Sequence, residues 1–181
     1  MHGILCAAVA AAMLMFAGCG NGDPVEAGLP GEEIVDTGLV VNEFLASNDS
    51  VDMDGEGETD DWIELHNRGD AAIDLSIYSL ADGELKQPYL LPDMELEAGG
   101  FLRVWIDNDP EQGFDHLGFK LSRKGESIWL RRESDGVLAD FVQYEEQQTD
   151  ISSGRLPDGS GEFVLCEAPS PGLSNADGCT P

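Results

Sequence analysis

The chain has 181 residues, of which 36 are acidic and 9 basic, giving a formal charge of −27 at neutral pH. A surface this acidic repels phosphate backbones and anionic lipid headgroups, which argues against nucleic-acid binding and against adsorption to membranes by charge. A hydrophobic content of 41% fills one sizeable core, and 22 glycines with 9 prolines point to many turns.

The N-terminal run Ile4 to Phe16 is almost wholly apolar and leads through Ala17-Gly18 into Cys19. It is shorter than the ~20 residues of a spanning helix and has the length of a signal-peptide core. Small residues before a single cysteine are the layout of a bacterial lipoprotein signal, residues 1–18, with Cys19 as the lipid-modified first residue. An ordinary signal peptide, cut near Ala17 or Gly18, is the alternative, since no Lys or Arg precedes the run and Phe16 replaces the usual Leu. Gly20 after the cysteine is the outer-membrane pattern in Gram-negative bacteria. Residues 1–18 carry no Asp, Glu, Lys or Arg, so the entire charge falls on the exported part.

Residues 19–37 are Gly-, Pro- and acid-rich and read as a flexible tether. Order is expected from residue 38 onward. Leu39 to Leu45 has strand composition, and a long acidic loop follows. Asp61 to Asn67 alternates, with Ile63 and Leu65 inward. After the turn Arg68-Gly69-Asp70, Ile73 to Tyr78 alternates again, with Ile73, Leu75 and Ile77 inward. Leu85 to Leu91 is a weaker strand, and Pro88 places it at an edge. Phe101 to Ile106 points Leu102, Val104 and Ile106 inward; Leu117 to Leu121 is short. Ser127 to Arg131 points Ile128 and Leu130 inward. Val137 to Tyr144 is apolar on both faces, so its inward set is not assigned. Turns recur about every 8–12 residues without a long helical pattern, which selects an all-β sandwich of antiparallel strands.

Four cysteines are present. Cys6 leaves with the signal and Cys19 takes the lipid, so Cys166 and Cys179 are left to pair in an oxidising compartment. A loop of that size is worth about 3 kcal/mol in the chain-entropy model, and it would clasp a tail that lacks an apolar pattern. A zinc site is disfavoured, because no Cys or His ligands adjoin the two thiols.

The order of motifs resembles the lamin-tail domain as it occurs in bacterial secreted proteins. Val40-Val41-Asn42-Glu43-Phe44-Leu45-Ala46-Ser47-Asn48 precedes Asp61-Trp62-Ile63-Glu64-Leu65-His66-Asn67. Asp74-Leu75-Ser76, Tyr78-Ser79-Leu80-Ala81-Asp82, Ala98-Gly99-Gly100-Phe101-Leu102 and Phe119-Lys120-Leu121-Ser122 follow. Ser153-Gly154-Arg155-Leu156-Pro157-Asp158-Gly159 and Pro169-Ser170-Pro171-Gly172 close the series, which runs from Leu39 to Asn175. The resemblance implies an immunoglobulin-like β-sandwich without an enzymatic activity of its own. Related domains in animal nuclei contact proteins and DNA, and the acidic surface argues against carrying over the DNA role.

Candidate sites follow from the residues. In Ser50 to Asp61, carboxylates at alternate positions suit calcium, which takes six to eight oxygens. Asp52, Asp54, Glu56, Glu58 and Asp61 are the expected ligands, with Gly55 at the turn. Serine at the first position and Asp at the twelfth fit poorly, and the alternative is an acidic loop without an ion. Trp62, Trp105 and Trp129 lie opposite the inward aliphatics, either as an aromatic platform for a sugar or protein or as a second packed layer. His66 and His116 have no hydrolase signature around them, and Arg68-Gly69-Asp70 reads as a turn. The expected function is a lipid-anchored, non-catalytic envelope module for a protein or polysaccharide partner, with calcium stiffening the loop. The alternative is a metal-dependent hydrolase, or an accessory subunit of one, using the loop at 50–61.

Overall fold

The structure, a computed structural model, describes residues 32–180. The expected signal, Cys19 and most of the expected tether lie outside the described residues.

Twelve strands form the domain: β1 Leu39–Leu45, β2 Trp62–Asn67, β3 Ile73–Asp74, β4 Tyr78–Ala81, β5 Tyr89–Leu90, β6 Glu95–Leu96, β7 Phe101–Ile106, β8 His116–Leu117, β9 Glu126–Arg132, β10 Val137–Tyr144, β11 Ser152–Leu156 and β12 Glu162–Cys166. One sheet runs β12-β11-β1-β2-β7-β8, a second runs β10-β9-β4-β5, and β3 pairs with β6. Every pairing between strands is antiparallel except β7 with β8. The two large sheets close on one core. Val41, Phe44, Ile63, Leu65, Val104 and Ile106 fill it from the first sheet, and Leu80, Ile128, Leu130 and Val142 from the second. The molecule is therefore the expected all-β, immunoglobulin-like sandwich.

Two bulges decide which residues face this core. The β1–β2 register shifts between Val41 and Glu43. An inserted residue reverses the alternation beyond it, so Phe44 packs inside while Glu43 faces the outer side with Glu64. A second shift, between Leu138 and Asp140 of β10, explains that strand's two apolar faces. Ala139, Val142 and Tyr144 join the main core, whereas Leu138 and Phe141 pack outside with Trp129 and Ala81.

The expected strand at Ile73 to Tyr78 is broken. Asp74 accepts a hydrogen bond from the Ser76 N–H, which caps a single 3₁₀ turn at Leu75–Ile77 before β4 begins. Leu75 still points into the core. Of Leu85 to Leu91, only Tyr89–Leu90 pairs, at the edge beside Pro88. The strands β11 and β12, absent from the alternation read above, complete the first sheet.

Residues 32–36, expected to be flexible, are docked on the domain. Ile34 bridges Leu138 in parallel, and the Val35 N–H donates to the Leu138 carbonyl at 2.9 Å. Glu32 meets Arg131 through two 2.8 Å bonds, and Asp36 meets Arg68 at 2.9 Å.

Candidate functional site

The acidic loop between β1 and β2 is organised by Asn48. Its amide donates to the carbonyls of Asp52 and Asp60 at 2.8 and 2.9 Å, and its side-chain oxygen accepts from the Val51 N–H at 3.0 Å. At the tip, one oxygen of Asp54 accepts the N–H groups of Glu56 and Glu58 at 2.9 and 2.7 Å. The Glu58 N–H bond is the main reason the Asp54 carboxyl sits below its ordinary range. The other oxygen of Asp54 is buried without a protein partner. Carboxylate oxygens of Asp54, Glu58 and Asp60 lie within 4.8 Å of one another. Gln112 donates to Glu58 at 2.7 Å, while its own side-chain oxygen is buried and unpartnered. Burial, then the charge of Asp107, raises Asp60.

This cluster differs from the expected ligand set. Asp52 turns away to Arg103 at 2.5 Å, and that guanidinium lies 3.9 Å from the Trp105 ring centroid and 4.0 Å from Asp115. Asp61 accepts the Asn48 N–H at 3.3 Å, and its burial pushes the carboxyl up to about 6. Glu56 is exposed. Asp54 and Glu58 converge as expected, and Asp60, which the loop register passed over, stands with them.

The tryptophans do not form a platform. Trp62 and Trp105 are 0% and 1% exposed, packed with Leu45 and Val51 beneath the acidic loop. Trp129 is 5% exposed, edge-on to Phe141 with centroids 4.9 Å apart. Of the two alternatives for these rings, the aromatic platform is set aside for the second packed layer, because a loop and neighbouring side chains cover them. The histidines are engaged as well. His66 stacks on Phe101 with centroids 4.2 Å apart and bonds the Gly100 carbonyl, and His116 pairs with buried Asp107. Neither imidazole bonds a serine or cysteine among the described residues. Arg68 of the turn tripeptide is taken up by Asp36 and by the Gly159 carbonyl.

A cluster of buried carboxylates escaped the sequence reading. Glu43 and Glu64 are direct cross-strand neighbours and both are 0% exposed. Glu43 accepts from the Ser152 hydroxyl and from the Ser170 N–H and hydroxyl, the last at 3.0 Å. Glu64 accepts from the Asn42 amide at 2.9 Å and the Gly172 N–H at 2.6 Å. Nearby, Asp158 accepts from Asn42, Ser174 and the Asn175 N–H. Asn175, fully buried, donates to the Asn42 and Arg155 carbonyls. Burial raises both glutamates, Glu64 to about 8. A disulfide between Cys166 and Cys179 anchors the far end of this tail. The bulge at Asn42 is what turns Glu43 outward to meet the tail, and one-dimensional alternation does not reveal it.

Three clefts lie elsewhere. One of 310 Å³ contains Arg68 and Arg155, both already ion-paired. One of 490 Å³ runs beside β12 along Ile151, Phe163 and Leu165, and one of 420 Å³ lies on the tail around Pro169 and Leu173.

No curated protein matches the chain. The family model for the Lamin Tail Domain matches residues 36–146, from the docked N-terminal segment through the end of β10. That span holds both sheets except β11 and β12, which the resemblance of Ser153 to Gly159 had joined to the same domain. By fold and by this match, the chain belongs to the lamin tail domain family.

Proposed function

We propose that this chain is a lipid-anchored protein of the bacterial cell envelope, with Cys19 as the anchor and the lamin-tail sandwich as a non-catalytic module for a protein or polysaccharide partner. The observation that carries this reading is the state of the polar side chains. Both histidines are bound into structural contacts, and no nucleophile adjoins them among the described residues. One open surface is the 490 Å³ cleft beside edge strand β12, where Leu165 is 48% exposed. Edge strands with apolar neighbours suit partner docking.

Calcium at Asp54, Glu58 and Asp60 is the second part of the proposal. The unpartnered buried oxygens of Asp54 and Gln112 support it, since oxygen ligands are what the ion requires. The hydrolase alternative has less support. It needs an open metal position inside a cleft, whereas Asp54, Glu58 and Asp60 converge at a loop where Glu58 is exposed.

The anchor is tested by fractionation. The full-length chain is expected in the membrane pellet, and Cys19→Ser in the soluble fraction. Equal membrane partitioning of the two would refute lipid anchoring.

A further inference from the structure

The buried pair Glu43 and Glu64 has no use in the proposed function. Every donor that reaches either carboxylate is neutral: Ser152, Ser170, Asn42 and Gly172. Two adjacent carboxylates shut away from water without a cation cannot both stay ionised at ordinary cost. Charged groups on the surrounding elements do not neutralise them. Arg103 of β7 is opposite Glu64 in register, but its guanidinium is held by Asp52. Arg155 of β11 is paired with Asp140 on β10. His66 of β2 is bonded to the Gly100 carbonyl. Asp158, in the loop after β11, adds negative charge, and on the tail Glu167 and Asp177 are exposed acids. The disulfide sulfurs, within 4.8 Å of a Glu43 oxygen, are uncharged.

The tail over this pair is held mainly by polar contacts. Between residues 168 and 178 only Asn175 is buried, and Leu173 is 68% exposed. β1 and β2, by contrast, are central strands paired on both sides. A repulsion generated at Glu43 and Glu64 is therefore relieved by the tail, whose opening costs little apolar burial.

We propose that residues 168–178 form a proton-gated strap, held on the outer face of β1 and β2 by the protonated Glu43–Glu64 pair and lifted when that proton is lost. The direction of the pH effect follows from the burial. Glu64 is raised from 4.5 to about 8, so its contribution is complete below the unfolded value and is lost as pH rises through the folded one. Opening therefore grows as pH rises from the ordinary carboxylate range towards about 8, and it hydrates the outer face of β1–β2 while the disulfide keeps the far end attached.

The test uses the full chain with its disulfide intact. The backbone amide resonances of Ser170 and Gly172 are followed from about pH 5 to about pH 9, above the ordinary carboxylate range. Protease nicking within 168–178 is measured alongside, normalised to an unstructured control peptide. The two amides are expected to shift together, and nicking is expected to rise by at least about ten-fold across the range. Glu64→Gln, which keeps a neutral side chain, should flatten both profiles, and Glu43→Gln, which removes the neighbouring charge but leaves Glu64 buried, should move them to lower pH. Amides that do not move in the wild type overturn the proposal, even if a variant fails to fold. So do unchanged profiles in both variants, and so does nicking that starts in the sandwich at the same pH.

Discussion

At the scale of single residues, Arg155 ties several segments of the fold together. Its Nε donates to the Val41 carbonyl at 2.9 Å and one terminal nitrogen to the Gly161 carbonyl at 3.2 Å. The other meets both oxygens of Asp140 at 3.1 Å, and the guanidinium lies 4.5 Å from the Phe163 centroid. Asp140 in turn accepts the Val41 N–H at 2.9 Å. This one ion pair therefore links β1, β10 and β11 where the two sheets approach. Asp140 is 6% exposed, so removing its partner leaves a buried charge uncompensated. Arg155→Ala is expected to lower unfolding stability by about 3 kcal/mol, read from urea denaturation. Arg155→Lys keeps a charge but not the planar fork, and it should lose a smaller share. An Arg155→Ala midpoint equal to wild type would show that the pair contributes nothing net.

At the scale of elements, the acidic loop separates what sequence spacing shows from what it cannot. Alternate carboxylates and Gly55 make this loop a candidate cation site, and Asp54 and Glu58 do converge. The spacing could not reveal that Arg103, 51 residues further along the chain on β7, takes Asp52 out of the set. Nor could it reveal that Asn48 turns the chain to bring Asp60 inward. If the three carboxylates hold calcium with about millimolar affinity, calcium at about ten times that dissociation constant adds about 1.4 kcal/mol. Differential scanning fluorimetry should then show a rise of a few degrees that a chelator reverses. Asp54→Asn should remove the response, and Asp52→Asn should keep it while lowering the starting value. Identical melts with calcium and with chelator would remove the ion from the proposal.

For the molecule as a whole, the sandwich was legible because its strands alternate and its turns carry Gly, Pro and Asp in sequence order. The parts that were not legible depend on contacts between distant segments. The bulges at Asn42 and in β10 reverse facing without changing composition. Strand β11 carries Ser152, Ser153, Gly154 and Arg155 where an isolated strand would show aliphatics, and β12, Phe163-Val164-Leu165, is apolar on both faces without alternation. The tail is held by buried polar groups that resemble ordinary loop chemistry. The charge of −27 was legible from the start, and it has a global consequence. Self-repulsion of a surface this acidic destabilises the compact state, and salt screens it. Raising sodium chloride from about 0.02 M to about 0.5 M should increase the melting temperature monotonically; a flat or falling trend would show that local pairing already balances the field. The placement of β1 has a mechanical corollary. Traction applied from the N-terminal side first meets the contacts of Glu32 and Asp36 with Arg131 and Arg68, which peel one at a time. Beyond them the load runs along a strand gripped by β2 on one flank and β11 on the other, so the ladders are sheared together instead of unzipped. A sandwich drawn by its leading end is expected to yield a few residues of slack and then stiffen.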